Sequence, residues 1–275
     1  MIRLGQRASP LVAIYLLGLA LLPAGCATGR PLAEPEPLDL GVTEIDLRRE
    51  LRSGTRIVQT TTMSFEISGP ATASLAPQQR SHRSAGTTIL DITAISTDWV
   101  EVRATVDGVQ APMTVRSSRD GASVDIRLDS PTALDATVRT ALSATQQQAA
   151  EMLRKLLVVT SQRWTVGESR PFTVNAPWGD GSTRRFEGRI ALRGFARLGE
   201  RLVAVFSNNG EMELRVSGSP VSVPYTSTTW TDLASGVALL TRGEAGLRKP
   251  QASVIVTTEE RLDLSRSRLL VDRPR

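Results

Sequence analysis

The sequence has little of the chemistry on which most enzymes and metal sites depend. It contains one cysteine and one histidine in 275 residues, and aromatic residues make up only 4% of the chain. A single cysteine excludes an internal disulfide, and a histidine-dependent triad would have to use His82. His82 lies in a polar segment between Arg80 and Arg83, where a solvated side chain is the ordinary arrangement. These scarcities predict that the protein is not an enzyme.

Metal and cofactor motifs are also missing from the sequence. No acidic cluster has calcium-loop spacing, and the glycine-rich stretch at 178–183 lacks the lysine of a phosphate-binding loop. We therefore expect no metal site and no cofactor. Carboxylate pairs that converge in space leave no sequence signature, so such pairs remain open.

The positive charge of the chain is concentrated at its two ends. The formal net charge is +5, but residues 26–264 contain equal numbers of basic and acidic side chains. Nucleic-acid binding requires a clustered positive face, so we expect no nucleic-acid partner. The basic tail at 265–275 could touch anionic lipid headgroups, although a solvated terminus is the commoner case.

The N-terminal residues 1–25 have the pattern of an export signal. Arg3 and Arg7 precede an apolar run from Leu11 to Ala24. As a helix this run would be about 21 Å long, which is too short for a hydrocarbon core of about 30 Å. A basic start, a short apolar middle and small residues at the end predict a signal peptide that is removed.

The stretch LPAGC at residues 22–26 resembles the bacterial lipoprotein box, apart from Pro23 where leucine is usual. The resemblance implies that Cys26 is acylated, becomes the mature N-terminus and holds the protein to the membrane through acyl chains. Ala27 follows in place of the aspartate that resembles an inner-membrane retention signal. An outer membrane lipoprotein facing the periplasm is therefore favoured, with surface exposure left open. The alternative is an ordinary secreted protein that is cut elsewhere.

Residues 26–42 contain Pro31, Pro35 and Pro37 and few apolar side chains, which is typical of an extended tether. Alternation of apolar and polar residues then predicts one β-rich domain over 43–264, with β-blocks at 43–129 and 160–264. In the first block we expect a hairpin that turns at Ser53 and Gly54. In the second we expect a turn at the NNG stretch, residues 208–210.

Residues 130–159 change to helical spacing. Ser130 is a suitable N-cap, and apolar residues recur with a mean spacing close to 3.6. The sequence predicts one central amphipathic helix that packs on a concave sheet. The residues expected to line the resulting hollow are Leu134, Val138, Leu142, Met152 and Leu156.

The fold class expected from these patterns is mainly β (α+β), a large curved antiparallel sheet or half-barrel in two β-blocks around that helix. This layout resembles uncharacterised bacterial lipoproteins of the same plan. More distantly it resembles the half-barrel cradles of the Lol lipoprotein carriers and of mycobacterial lipid-carrying lipoproteins. The resemblance implies a hollow that binds a lipid or another amphiphile. The alternative is a structural or assembly accessory that presents its sheet surface to an envelope protein partner.

The four tryptophans allow two interpretations. Trp99, Trp164, Trp178 and Trp230 could form a wall that contacts lipid or glycan. Core packing and the anchoring of strand ends are the commoner roles of such residues.

Overall fold

The computed structural model describes residues 34–47, 50–70, 80–106, 113–118, 124–128, 163–177, 183–216, 219–249 and 252–272. Cys26 and residues 130–159 lie outside these ranges. Every element in the described part of the chain is a strand. In chain order the strands are β1 (Glu36–Leu38), β2 (Glu44–Asp46), β3 (Glu50–Leu51), β4 (Arg56–Ser68), β5 (Ser81–Ile95), β6 (Trp99–Val106), β7 (Met113–Ser118), β8 (Val124–Leu128), β9 (Arg163–Thr165), β10 (Ser169–Pro177), β11 (Thr183–Leu198), β12 (Arg201–Val216), β13 (Ser219–Asp232), β14 (Ala238–Lys249), β15 (Ala252–Leu262) and β16 (Val271–Asp272).

Twelve of these strands form one antiparallel sheet. Its order is β1-β11-β12-β13-β14-β15-β4-β5-β6-β7-β8, and β10 pairs with β11 on the same side as β1. Although β8 and β10 stand at opposite ends of this order, some of their Cα atoms lie within 8 Å of each other. The sheet therefore curves round until its ends approach.

Two small sheets also lie in the described ranges. β2 pairs with β9, and β3 pairs with β16. The hairpin that we expected across Ser53 and Gly54 is therefore wrong, because the strands before the turn pair with distant parts of the chain and β4 pairs with β5 and β15. A two-residue strand such as β3 buries little by itself, so its partner is decided by long-range packing.

The expected turn at residues 208–210 is also wrong, because β12 continues through it. The turn between β11 and β12 lies at Gly199, which has a φ of +61°. Gly210 serves a different purpose: a Cβ at this position would collide with the carbonyl oxygen of Glu187 on β11. Glycine here permits close approach of the two strands.

The α+β class with a central helix is contradicted by the described fold. No helix is among the elements of the described ranges, and the two β-blocks join directly where β15 pairs with β4. Each of these long strands has one neighbour from a local hairpin, so its other edge is left with unpaired backbone groups. Pairing the two edges satisfies those groups without a helix between the blocks.

The main core gathers residues from both halves of the sheet. It contains Leu90, Val102 and Val115 from β5, β6 and β7 together with Val203 and Leu240 from β12 and β14, all almost completely buried. A second cluster packs the β2–β9 sheet onto β11 and β12, with Trp164 edge-on to Phe206 at a ring distance of 5.1 Å. Trp164 is 1% exposed, so it is a core residue.

The C-terminal segment lies against the start of the large sheet. Leu270 accepts hydrogen bonds from the backbone nitrogen of Arg52 and the hydroxyl of Thr55. Arg268 exchanges two backbone hydrogen bonds with Arg56. Residues 265–272 of the predicted tail are thus bonded to β3, β4 and the turn between them. No helix of the described ranges is long and apolar enough to cross a membrane.

Candidate functional site

A polar surface crosses six strands of the large sheet. Paired residues in antiparallel strands point to the same side, so the register defines which side chains are neighbours. One row runs across Ser207, Thr228, Arg242, Glu259 and Thr62. The next row runs across Asn209, Thr226, Glu244, Thr257, Ser64 and Arg83. We call these two rows the polar face.

A cavity of about 660 Å³ lies over the polar face. Its lining consists of threonine, serine, asparagine, glycine, arginine and glutamate residues. All members of both rows contribute, together with Arg193 of β11. The volume is within the range of about 300–1,000 Å³ that is typical of small-molecule sites, but the lining is far more polar than usual.

Arg242 is the centre of the charges on the polar face. Its Nε donates to Glu259 at 2.8 Å, and both Nη atoms donate to the two carboxylate oxygens of Glu34, each at 2.8 Å. Arg261 donates its Nε to the other oxygen of Glu259 at 2.6 Å. Two guanidinium groups and two carboxylates therefore alternate in one network.

The network shifts the pKa values of Glu34, Glu259 and Arg242. The hydrogen bond from Arg242 holds the pKa of Glu34 below its ordinary value. Hydrogen bonds from Arg261 and then from Arg242 lower the pKa of Glu259, although burial acts in the opposite direction. The two carboxylates raise the pKa of Arg242. Each charged group thus stabilises the charged form of its neighbour.

Hydroxyl groups surround this network. Ser64 and Thr257 share a hydrogen bond of 2.5 Å, and Arg193 donates to Ser207 at 2.6 Å. Within the described ranges, the hydroxyl groups of Thr62, Thr226 and Thr228 form no hydrogen bond with another described residue. They line the cavity and are available to a ligand that carries polar groups.

Comparisons with known proteins identify no family for this chain. No family model matches it, and no curated protein matches it. Among solved structures, the hypothetical lipoprotein YmcC from Escherichia coli is 11% identical with a TM-score of 0.28, over 72% of this chain and 85% of that one. The attachment invasion locus protein Ail of Yersinia pestis is 6% identical with a TM-score of 0.18, over 77% of this chain and 99% of that one. Similarities this low carry no argument about fold or function, and the resemblance to Lol carriers is not confirmed.

The lining of the cavity contains hydroxyl, amide, guanidinium and carboxylate groups. Neither histidine nor cysteine is in its lining. His82 is on β5 next to Arg83, so it points to the opposite side of the sheet, where its ring lies 5.9 Å from that of Phe65. No cluster of possible metal ligands occurs in the ranges that the structure describes.

The residues singled out from sequence are mostly elsewhere. Cys26, the five residues of the predicted hollow and Trp178 lie outside the described residues. Trp99 lies under the guanidinium of Arg116 at 4.1 Å, and Trp230 lies 5.9 Å from that of Arg242, next to the polar face.

Sequence reasoning missed the residues of the polar face. The signal available was a set of polar positions at alternate places in β13, β14 and β15, such as Thr226 and Thr228 or Arg242 and Glu244. Alternation of this kind is also what a solvated sheet face produces. The position of Glu34 had no signal, because its partner Arg242 lies 208 residues away in the chain.

Proposed function

We propose that the protein is a lipid-anchored protein of the cell envelope that binds a partner at its polar face without catalysing a reaction. The observation that carries the proposal is the continuous polar face, in which two aligned rows of side chains line one cavity. The lipid anchor and the envelope location are supported by the leader and the lipoprotein box that ends at Cys26.

The arrangement of the polar face favours recognition. Side chains held on paired strands keep their spacing, which allows several hydrogen-bond donors and acceptors to meet a partner at once. Arginine and carboxylate groups give such a surface directional contacts, and the surrounding hydroxyls adapt as donors or acceptors.

The polar lining favours a polar partner over an acyl chain. Binding an acyl chain would place its methylene groups against Arg242, Glu244 and Glu259, whose loss of hydration would oppose binding. The alternative function stated from sequence, in which the sheet surface is presented to a partner in the envelope, is therefore preferred here to the binding of an amphiphile. We place that partner in the periplasm.

The test is photo-crosslinking in intact cells. A p-benzoyl-phenylalanine at Thr226, which is exposed on the polar face, should give a discrete adduct. The matched control position is Val166, which is 37% exposed and lies outside the cavity lining. In the same experiment, the Cys26→Ser substitution should shift the protein from the membrane fraction to the soluble fraction and weaken the adduct.

Two results would contradict the proposal. Equal labelling at Thr226 and Val166 would mean that the polar face has no preferred partner. Unchanged membrane attachment of the Cys26→Ser protein, with no lipid mass on the wild-type N-terminus, would remove the anchor from the proposal.

A further inference from the structure

We infer that Arg242 is the centre of a binding site for a hydroxyl-rich carboxylate or phosphate, and that Glu34 of the chain's own N-terminal segment occupies this site in the structure. The inference rests on the proposed function and names the class of ligand that the polar face recognises. Three features of the described residues carry it: the geometry around Arg242, the exposure of Glu34, and the unpaired groups in the cavity.

The geometry around Arg242 is that of oxyanion recognition. The two Nη atoms meet the two oxygens of Glu34 in parallel hydrogen bonds of 2.8 Å, while the Nε is held by Glu259. Such a fork fits a carboxylate or two oxygens of a phosphate equally well. Glu259 fixes the guanidinium plane from the side, which leaves the fork oriented even when Glu34 departs.

Glu34 is the replaceable member of the network. Its side chain is 74% exposed, whereas that of Glu259 is 31% exposed and belongs to β15. Glu34 precedes β1, so it can leave Arg242 without breaking a strand pairing. An exposed ion pair of this kind contributes little to stability, and exchange for an external oxyanion therefore costs little.

The rest of the cavity favours a negative and hydroxylated ligand. Arg83 and Arg193 line it without an ion pair to any described residue. Arg261, bonded to Glu259 beside the cavity, keeps a buried Nη1 for which the described residues provide no acceptor. The hydroxyls of Thr62, Thr226 and Thr228 can bond to the hydroxyls of the ligand. When Glu34 leaves, the positive charge of the site increases by one.

The test measures the binding of four soluble probes by calorimetry. Glucuronate carries a carboxylate, glucose 6-phosphate a phosphate monoester, and glycerophosphoglycerol the phosphodiester of a lipid headgroup. Glucose is the neutral control. The acidic probe that binds tightest shows whether the site prefers a carboxylate, a phosphate monoester or the phosphodiester of a lipid headgroup. Binding of any of the three supports the inference.

Variants of the full-length chain separate binding at Arg242 from binding elsewhere on the protein. Glu34→Gln should lower the apparent dissociation constant of the acidic probes about fivefold, because the competing carboxylate is removed. Arg242→Gln should abolish their binding. Arg56→Gln is the matched control, since Arg56 forms a bidentate pair with Asp91 away from the cavity. This control should bind like the wild type.

The Glu34→Gln arm decides the question even if Arg242→Gln does not fold. The inference is overturned if Glu34→Gln leaves the affinity for the acidic probes unchanged, or if glucose binds as tightly as the acidic probes. It is also overturned if no acidic probe binds to the wild type or to Glu34→Gln. In each of these cases a crosslink at Thr226 would still support the polar face as a partner site. Failure of this inference is thus distinguishable from failure of the proposed function.

Discussion

The ion pairs of Glu259 on the polar face make part of the protein's stability depend on pH. Its carboxylate accepts hydrogen bonds from Arg261 and Arg242, which lower its pKa from an ordinary value of 4.5. A carboxyl group with a lowered pKa in the folded state contributes stability above its unfolded pKa. The contribution disappears as the pH falls through the lowered value.

We predict that Glu259→Gln reduces the free energy of unfolding at pH 7 by about 1 kcal/mol, the upper range for a partly exposed ion pair. The difference from the wild type should shrink as the pH falls from about 5 to about 3, because protonated glutamate and glutamine then bond alike. Urea unfolding at several pH values measures this.

Glu66→Gln serves as the control, because Glu66 is an exposed carboxylate on the neighbouring strand β4. A constant difference in unfolding free energy between Glu259→Gln and the wild type across the whole pH range would contradict a stabilising role of the ion pairs of Glu259.

The sequence allowed part of this residue-scale arrangement to be foreseen. Glu259 and Glu260 are adjacent in a strand, so they point to opposite faces, and the short connection between β14 and β15 makes a hairpin the expected pairing. The register that sets Glu259 opposite Arg242 follows from the turn. The pairing of Arg242 with Glu34 could not be foreseen, because no local rule relates residues so far apart.

At the scale of elements, the strands were predictable and some of their ends were not. The alternation that predicted strands at β4, β11 and β15 reflects burial of one side, as in the buried Ile57, Phe65 and Ile67 of β4. The NNG stretch was misjudged because asparagine and glycine also occur inside strands where backbones approach closely. A turn and a close approach of strands are distinguished here only by the structure, in which the backbone of β11 lies against Gly210 of β12.

The irregularity in β11 depends on a glycine backbone. The register with β12 shifts between Leu192 and Gly194, and Gly194 has a φ of +149° with open space where a Cβ would lie. A substitution there meets no collision, so its cost comes from the backbone alone. Next to this shift, Leu192 belongs to the second core cluster, and Arg193 lines the cavity.

We therefore predict that Gly194→Ala lowers the free energy of unfolding by about 1–2 kcal/mol. Thermal unfolding followed by circular dichroism measures the change. Arg193→Ala is the matched control within the same bulge and should cost less than about 0.5 kcal/mol, because only an exposed side-chain hydrogen bond is lost. Equal stability of Gly194→Ala and the wild type would mean that the bulge relaxes without strain.

At the scale of the whole molecule, the pairing of β15 with β4 decides the architecture. It joins the two halves of the chain into one sheet and brings the polar rows of both halves onto a common face. The expectation of two blocks around a helix failed because periodicity reports local burial and contains no information on which distant edges pair. The twelve-stranded order therefore had to come from the structure.

The C-terminal segment secures this junction. Asp263 donates its backbone N–H to Val58, Ser267 donates its hydroxyl to the carbonyl of Asp263, and Arg268 bonds to Arg56. Leu264 and Leu269 pack against the main core. We predict that a chain ending at Leu262 loses roughly 3–5 kcal/mol of unfolding free energy, from lost apolar burial and backbone hydrogen bonds.

Urea unfolding of the truncated and complete chains measures this loss, and a chain ending at Asp272 is the control. The control removes Arg273, Pro274 and Arg275 but none of the contacts described for the segment, so its urea midpoint should equal that of the untruncated chain within error. If both truncated chains have the same urea midpoint, the segment does not contribute to stability. If only the larger truncation is destabilised, residues 263–272 are part of the domain and hold the edge of β4 that the β15 pairing leaves incomplete.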